Sequence, residues 1–192
     1  VDMRGLERTD DFTMVTVLSI LKNEWHNRIQ IKEILSTASY GFTYEIRNEY
    51  TRYELNNLLA GMNAFIQYGK IGSLRKYWDE LNIYDDHVER LFFAMQSIDD
   101  GVSLCNIADL EFGIKELRKV LAEKRTNDEK QLESNVISIL EAGIRRDFGA
   151  LLDGNEEDEL DVVELIKWTN RKEFYQQTLT IVESRIPDDF VK

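Results

Sequence analysis

The chain has 192 residues, 43% hydrophobic and 10% aromatic, enough to bury a core and to exclude a wholly disordered tail. Its 24 Lys and Arg against 36 Asp and Glu give a net charge of −12, which argues against long-range steering toward nucleic acid and leaves only a local basic patch open. One cysteine, Cys105, excludes a disulfide framework or a cysteine-based zinc site within one chain, and no apolar run approaches the ~20 residues of a membrane span. With no leader-like opening, the reading is a cytosolic protein with no membrane partner, one domain or two small ones.

In chain order, Asp2, Arg4, Gly5, Arg8 and Thr9 form a short polar turn ahead of a helix expected over 12–21. A helix N-terminus beside an arginine is an anion site. Arg8 can pair with a phosphate there, and Thr9 or Asp10 can cap the helix. The plain alternative is a capped, solvated turn. Ile29, Ile31, Ile34 and Leu35 are branched or apolar and lead into Ser36-Thr37-Ala38-Ser39; they read as a strand, with a helix as the alternative. Tyr44-Glu45-Ile46-Arg47 alternates and reads as a second strand. Two strands are marginal alone, so further parallel strands are expected upstream and the chain is expected to be a fragment.

Beyond residue 50 the spacing becomes helical. Proline appears once, at Pro187, where average usage would give roughly ten. Long helices can therefore run unbroken. Leu55, Leu58, Leu59, Met62, Phe65 and Ile66 repeat at three and four, ending near Gly69. Leu74, Tyr77, Trp78 and Leu81 make a short helix. Val88, Leu91, Phe92, Met95 and Ile98 make another, expected to stop at Asp99-Asp100-Gly101. Ile107, Leu110, Ile114, Leu117, Val120 and Leu121 form the next, with Lys124 and Arg125 placed where the helix dipole favours cations. Leu132, Val136, Ile139, Leu140 and Ile144 follow, then Val162, Val163, Leu165, Ile166 and Trp168. Phe174, Leu179 and Val182 close the series before Pro187. The fold class is mostly α: a helical bundle with a short α/β N-terminal segment of one or two strands, divided as 1–50 and 51–192.

His26 and His87 are the only histidines, and neither has a cysteine nearby for zinc. His87 follows Tyr84-Asp85-Asp86. A carboxylate-held base is one reading; the favoured one makes Asp85 or Asp86 an N-cap with His87 in the first turn. The run from Asp153 to Glu164 places oxygen ligands at positions 1, 3, 5, 9 and 12 of an EF-hand-like loop. Its position 6 is Asp158 where that loop needs glycine, and an acidic loop before a helix explains it without calcium. Trp78, Trp168, Phe174 and Tyr175 read as core or inter-helix anchors. Gln176-Gln177 reads as a buried polar pair or an interface contact. Arg145-Arg146 is the densest basic pair of the helical region, with an RNA-facing role weighed against a solvated face.

Four segments together resemble a known family: DMRGLERTD over 2–10, IKEILSTAS over 31–39, TRYELNNLLAGMNAFIQYGK over 51–70, and IKWTNRKEFYQQTLTIVESRIP over 166–187. Their order is similar to that of the CARF–HEPN accessory ribonucleases of type III CRISPR systems. In that family an Asp-x-x-Gly-Gly-x-Arg-like turn follows a central strand of a Rossmann-like sensor sheet. A later Trp…Gln-Gln-Ala-Leu-Thr…Glu-Ser…Pro segment leads toward the catalytic motif. The resemblance implies a homodimer that binds a cyclic oligoadenylate through its sensor domain, with Asp2, Gly5 and Arg8 as ligand-binding residues. It also implies metal-independent cleavage of single-stranded RNA by an Arg-x4–6-His motif, with no further cofactor. Residues 1–50 would be a sensor remnant, and 51–192 a helical linker and the start of the HEPN domain.

The sequence departs from that pattern in three places. Leu6 stands where the family has a second glycine, which closes part of the backbone to a phosphate. Thr178 follows Gln177 where the family commonly has alanine. No Arg-x4–6-His occurs, so no residue is assigned a catalytic or metal-binding role, and this piece alone is expected not to cleave RNA. Two other readings stand beside it: a non-enzymatic helical protein–protein interaction domain, and a calcium-responsive protein built on 153–164.

Overall fold

A computed structural model describes residues 13, 16–18, 20–21, 31–40, 43–48, 50–81, 84–123, 132–153 and 159–185. The fold is mostly α. The chain forms two compact units, Val1–Leu59 and Ala60–Lys192.

In the first unit, Thr13, Thr16, Val17, Leu18, Ile20 and Leu21 are helical, as the apolar spacing anticipates. Strand β1, Leu35–Tyr40, pairs with β2, Thr43–Asn48, in antiparallel register from Leu35↔Asn48 to Tyr40↔Thr43. The β1 strand begins later than the branched run suggests: Ile31 to Ile34 carry no regular structure. Ile31 and Ile34 are instead buried with Tyr53, and Leu18 and Tyr50 pack against them. Helix α1, Tyr50–Tyr68, follows directly, with Asn48 Oδ1 accepting the Tyr50 N–H at 2.9 Å. That bond satisfies one of the four donors a helix start leaves open. The boundary between the units falls within α1.

Helix α1 ends where Gly69 is left-handed, φ +67°. Its N–H returns to the Phe65 carbonyl at 2.8 Å, a bond that closes the helix in a conformation glycine adopts without a Cβ penalty. Helices α2, Gly72–Leu81, and α3, Asp86–Leu104, come next. Asp85 caps α3, its carboxylate accepting the N–H of His87 and Val88. That is the favoured sequence reading of this segment.

The expected stop at Asp99-Asp100-Gly101 does not occur: α3 continues through it to Leu104. Tertiary contacts override the local breakers. Asp99 accepts from the Lys70 ammonium at 2.9 Å, the Ser103 hydroxyl at 2.8 Å and the Ile71 N–H at 3.0 Å, so it serves the start of α2. Asp100 accepts from Gln96. Gly101 lets a neighbouring backbone approach, since a Cβ there would lie 2.5 Å from the Leu110 nitrogen. The helix ends instead at Cys105, left-handed at φ 53°. Asn106 then caps α4, Ile107–Ala122, by accepting from Ala108 and Asp109. Helices α3 and α4 thus form an antiparallel hairpin with a two-residue turn. Its core holds Leu91, Met95 and Ile98 against Leu110, Ile114 and Leu117. Lys124 and Arg125 lie outside the described residues.

Helix α5, Leu132–Phe148, runs into a 3-10 turn over Gly149–Leu152. Helices α6, Val162–Arg171, and α7, Tyr175–Arg185, form a second hairpin. Stacked or edge-on rings link these elements: Phe65 to Phe148 at 6.3 Å, Phe148 to Trp168 at 4.8 Å, and Trp168 to Phe174 at 5.8 Å. Trp78 packs edge-on against Phe92 at 5.8 Å. Trp78, Trp168 and Phe174 are therefore the anchors their spacing suggests. Tyr175 is not: it is exposed, because α7 turns its Gln177 and Ile181 side inward. Pro187 lies outside the described residues.

Candidate functional site

Asp2, Gly5 and Arg8, the ligand-turn residues of the sequence reading, lie outside the described residues, as do Arg4, Thr9, Asp10 and His26. The polar constellations that can be described belong to the unit 60–192.

The first gathers around His87. In the first turn of α3, its Nε2 lies 2.9 Å from Glu141 Oε1 on α5, with both side chains mostly buried. Its Nδ1 lies 4.0 Å from Glu123 Oε2, just past the end of α4. Arg90, one turn on, donates to both Glu123 oxygens at 2.5 and 2.6 Å and lies 3.3 Å from Asp86. One imidazole thus links three helices. The Glu123 contact holds the Arg90 guanidinium above its ordinary pKa, and Arg90 in turn holds the Glu123 carboxyl below its own. A carboxylate depressed in this way contributes stability above its unfolded pKa and loses it as pH falls through its lower folded value. Glu123→Gln should therefore lower stability slightly at neutral pH, as loss of an exposed ion pair does, and the difference from the parent should shrink as pH falls below 4.5, giving the variant a flatter acid limb. Urea midpoints across that range check this; an unchanged acid limb would refute it.

This cluster fits the arrangement of an acid–base pair only in part. A histidine beside a carboxylate can move a proton, but catalysis also needs a substrate within reach. Here the imidazole is spent joining helices. Among the described residues no group of His, Cys, Asp and Glu is arranged to hold a metal ion.

The second constellation is the Asp147–Lys172 pair. Asp147 on α5 accepts from Lys172 Nζ at 2.5 Å and Trp168 Nε1 at 3.3 Å, while Arg171 donates to its carbonyl at 2.6 Å. Lys172 also donates to the Ile66 carbonyl. With side chains only 10% and 14% exposed, this lysine and aspartate form a tie between α1, α5 and α6.

The remaining candidates resolve individually. Gln177 is buried and donates to the Val102 carbonyl, whereas Gln176 is exposed, so the pair divides between core and surface. Arg145 and Arg146 are both exposed, with Arg145 donating to the Leu121 carbonyl. In the acidic run, Asp161 caps α6 by accepting from Val163 and Glu164, and Glu164 pairs with Lys167 at 2.7 Å. Two EF-hand-like positions are thus engaged in local helix bonds; residues 154–158 lie outside the described residues.

No helix among the described residues is long and apolar enough to cross a membrane. No family model matches the chain, and comparison with curated proteins and with solved structures finds no relative.

Proposed function

We propose that the chain is part of a CARF–HEPN-type sensor protein of antiviral defence. Residues at its start contribute to binding a cyclic oligoadenylate, and the intact protein is a homodimeric, cytoplasmic, metal-independent endoribonuclease acting on single-stranded RNA. The observation that carries this reading is the order of the four resembling segments, from the DMRGLERTD turn to the IKWTNRKEFYQQTLTIVESRIP stretch. Two features are compatible with it. The strand segment leads directly into α1, as a sensor-to-linker transition requires. In the last segment, the Trp168 and Gln177 positions are packed in one helical hairpin and not scattered in loops. On this reading residues 51–192 are a helical linker and the start of the HEPN domain, and no residue among them is assigned a catalytic role.

The test is the polypeptide as the cell makes it. Intact mass and sequencing of its two ends should place an Arg-x4–6-His segment in the native protein. That protein should cleave single-stranded RNA with cyclic oligoadenylate present and not without it. A native protein lacking the motif and bound to neither ligand would overturn the proposal. The second reading, a helical protein–protein interaction domain, is favoured by the apolar residues exposed on α3 and α4, Phe93, Leu104 and Phe112.

A further inference from the structure

The strand hairpin of the first unit leaves one row of backbone groups unused by its own sheet. Among the described residues β2 pairs with β1 alone. Tyr40↔Thr43 closes a connection of two residues, the position at which paired strands exchange both N–H···O=C bonds. Alternation then turns the N–H and C=O of Thr43, Glu45 and Arg47 toward β1, and those of Tyr44, Ile46 and Asn48 away from it. Such a row is a template for another strand, and a sheet of two strands is marginal until more are added. Ile46, at the middle of the row, is 59% exposed.

The charges of β2 say which strand fits. Within the hairpin neither charged position faces a charge: Ala38 lies opposite Glu45, and Ser36 opposite Arg47. Glu45 and Arg47 stand on either side of Ile46 in the sequence. A second β2 laid antiparallel, with Ile46 on Ile46, puts Glu45 opposite Arg47 and Arg47 opposite Glu45. The same register pairs Tyr44 with Asn48, so the whole outward row is bonded. A two-fold axis through the Ile46 pair generates this arrangement, which is therefore closed and self-complementary. The two neighbouring registers, Tyr44 on Ile46 or Ile46 on Asn48, would set Glu45 on Glu45 or Arg47 on Arg47. Like charges directly opposite are destabilising, so the sequence selects one register out of the three. Strand β1, Leu-Ser-Thr-Ala-Ser-Tyr, carries no charge with which to make such a choice.

We propose that the outer edge of β2 is a homodimer interface, two hairpins joining β2 to β2 about a two-fold axis into one four-stranded antiparallel sheet. The proposal takes the dimer of the functional reading and places it on a strand. Its readout needs neither oligoadenylate nor RNA, so the two fail separately.

Sedimentation of the full 192-residue chain over a wide concentration range should give a concentration-dependent dimer. Glu45→Arg sets arginine on arginine in both halves of the interface and should weaken dimerisation about tenfold, as should Arg47→Glu. The two changes together restore opposite charges and should recover the dimer. Ile46→Pro removes an outward donor and no bond to β1, so it should give a monomer that keeps its hairpin. Amide exchange reads the same edge in the parent chain. The N–H groups of Tyr44 and Ile46 should exchange slowly in the dimer alone, whereas those of Glu45 and Arg47 are protected in monomer and dimer. A chain that is monomeric at every concentration would overturn the proposal, as would a dimer indifferent to the single charge reversals. So would a double reversal without recovery. Slow exchange at Tyr44 and Ile46 in a monomer would assign the edge to another segment or another protein, and is likewise a refutation.

Discussion

Gly101→Ala should destabilise the protein by about 2 kcal/mol, although alanine is the better helix former. The propensity gain is about 1 kcal/mol in the helix interior. Against it stands overpacking at about 3 kcal/mol. That cost sits at the upper end because a Cβ at Gly101 would lie 2.5 Å from the Leu110 nitrogen and 2.8 Å from its Cα. Backbone cannot rotate aside as a side chain can, so α3 and α4 must move apart. Gly72→Ala is the matched control, since nothing lies within 4 Å of its added Cβ. Urea denaturation of both variants decides it. Gly101→Ala at or above the parent's midpoint would show that the crossing is looser than described.

Asp147→Ala should cost about 3–5 kcal/mol, a large share of the 5–15 kcal/mol of a typical domain. Removing the carboxylate strands the mostly buried Lys172 ammonium and takes the partner from the Trp168 indole N–H. The loss comes chiefly from the charge left behind, so Asp147→Leu combined with Lys172→Met should recover most of it. A double-mutant cycle in urea measures the coupling. If the double variant is no better than Asp147→Ala alone, the tie works through shape and not through charge.

These two sites mark where sequence reading stops. The helices were legible because leucine, isoleucine and aromatic residues recur at three and four and because Gly69 punctuates α1. The Asp85 cap was legible too, since capping depends on neighbours two and three residues away. Asp99-Asp100-Gly101 looked like a stop because local propensity is all that a short window reports. Its true roles are tertiary, serving the start of α2 and admitting α4. The His87–Glu141 contact joins residues 54 apart and the Asp147–Lys172 contact residues 25 apart, and no spacing rule connects either pair. Tyr175 misled for a related reason: on a helix with weak apolar asymmetry, the neighbours decide which side is buried.

The two-residue turn at Cys105 and Asn106 also bears on the order of assembly. Contacts across the α3–α4 hairpin join residues near in sequence, nine apart for Gly101 and Leu110 as their numbers show. The Lys172–Ile66 bond joins residues 106 apart. Closing a chain loop costs entropy that grows with its length, so the hairpin is among the least costly tertiary structures to form. It can therefore stand while α1 and α6 are still apart. Phe93 and Phe112 would then be exposed on the earliest ordered piece of the nascent fold. Their edge-to-face contact at 6.1 Å joins the two helices of the hairpin, so the rings cover part of each other from the moment it closes.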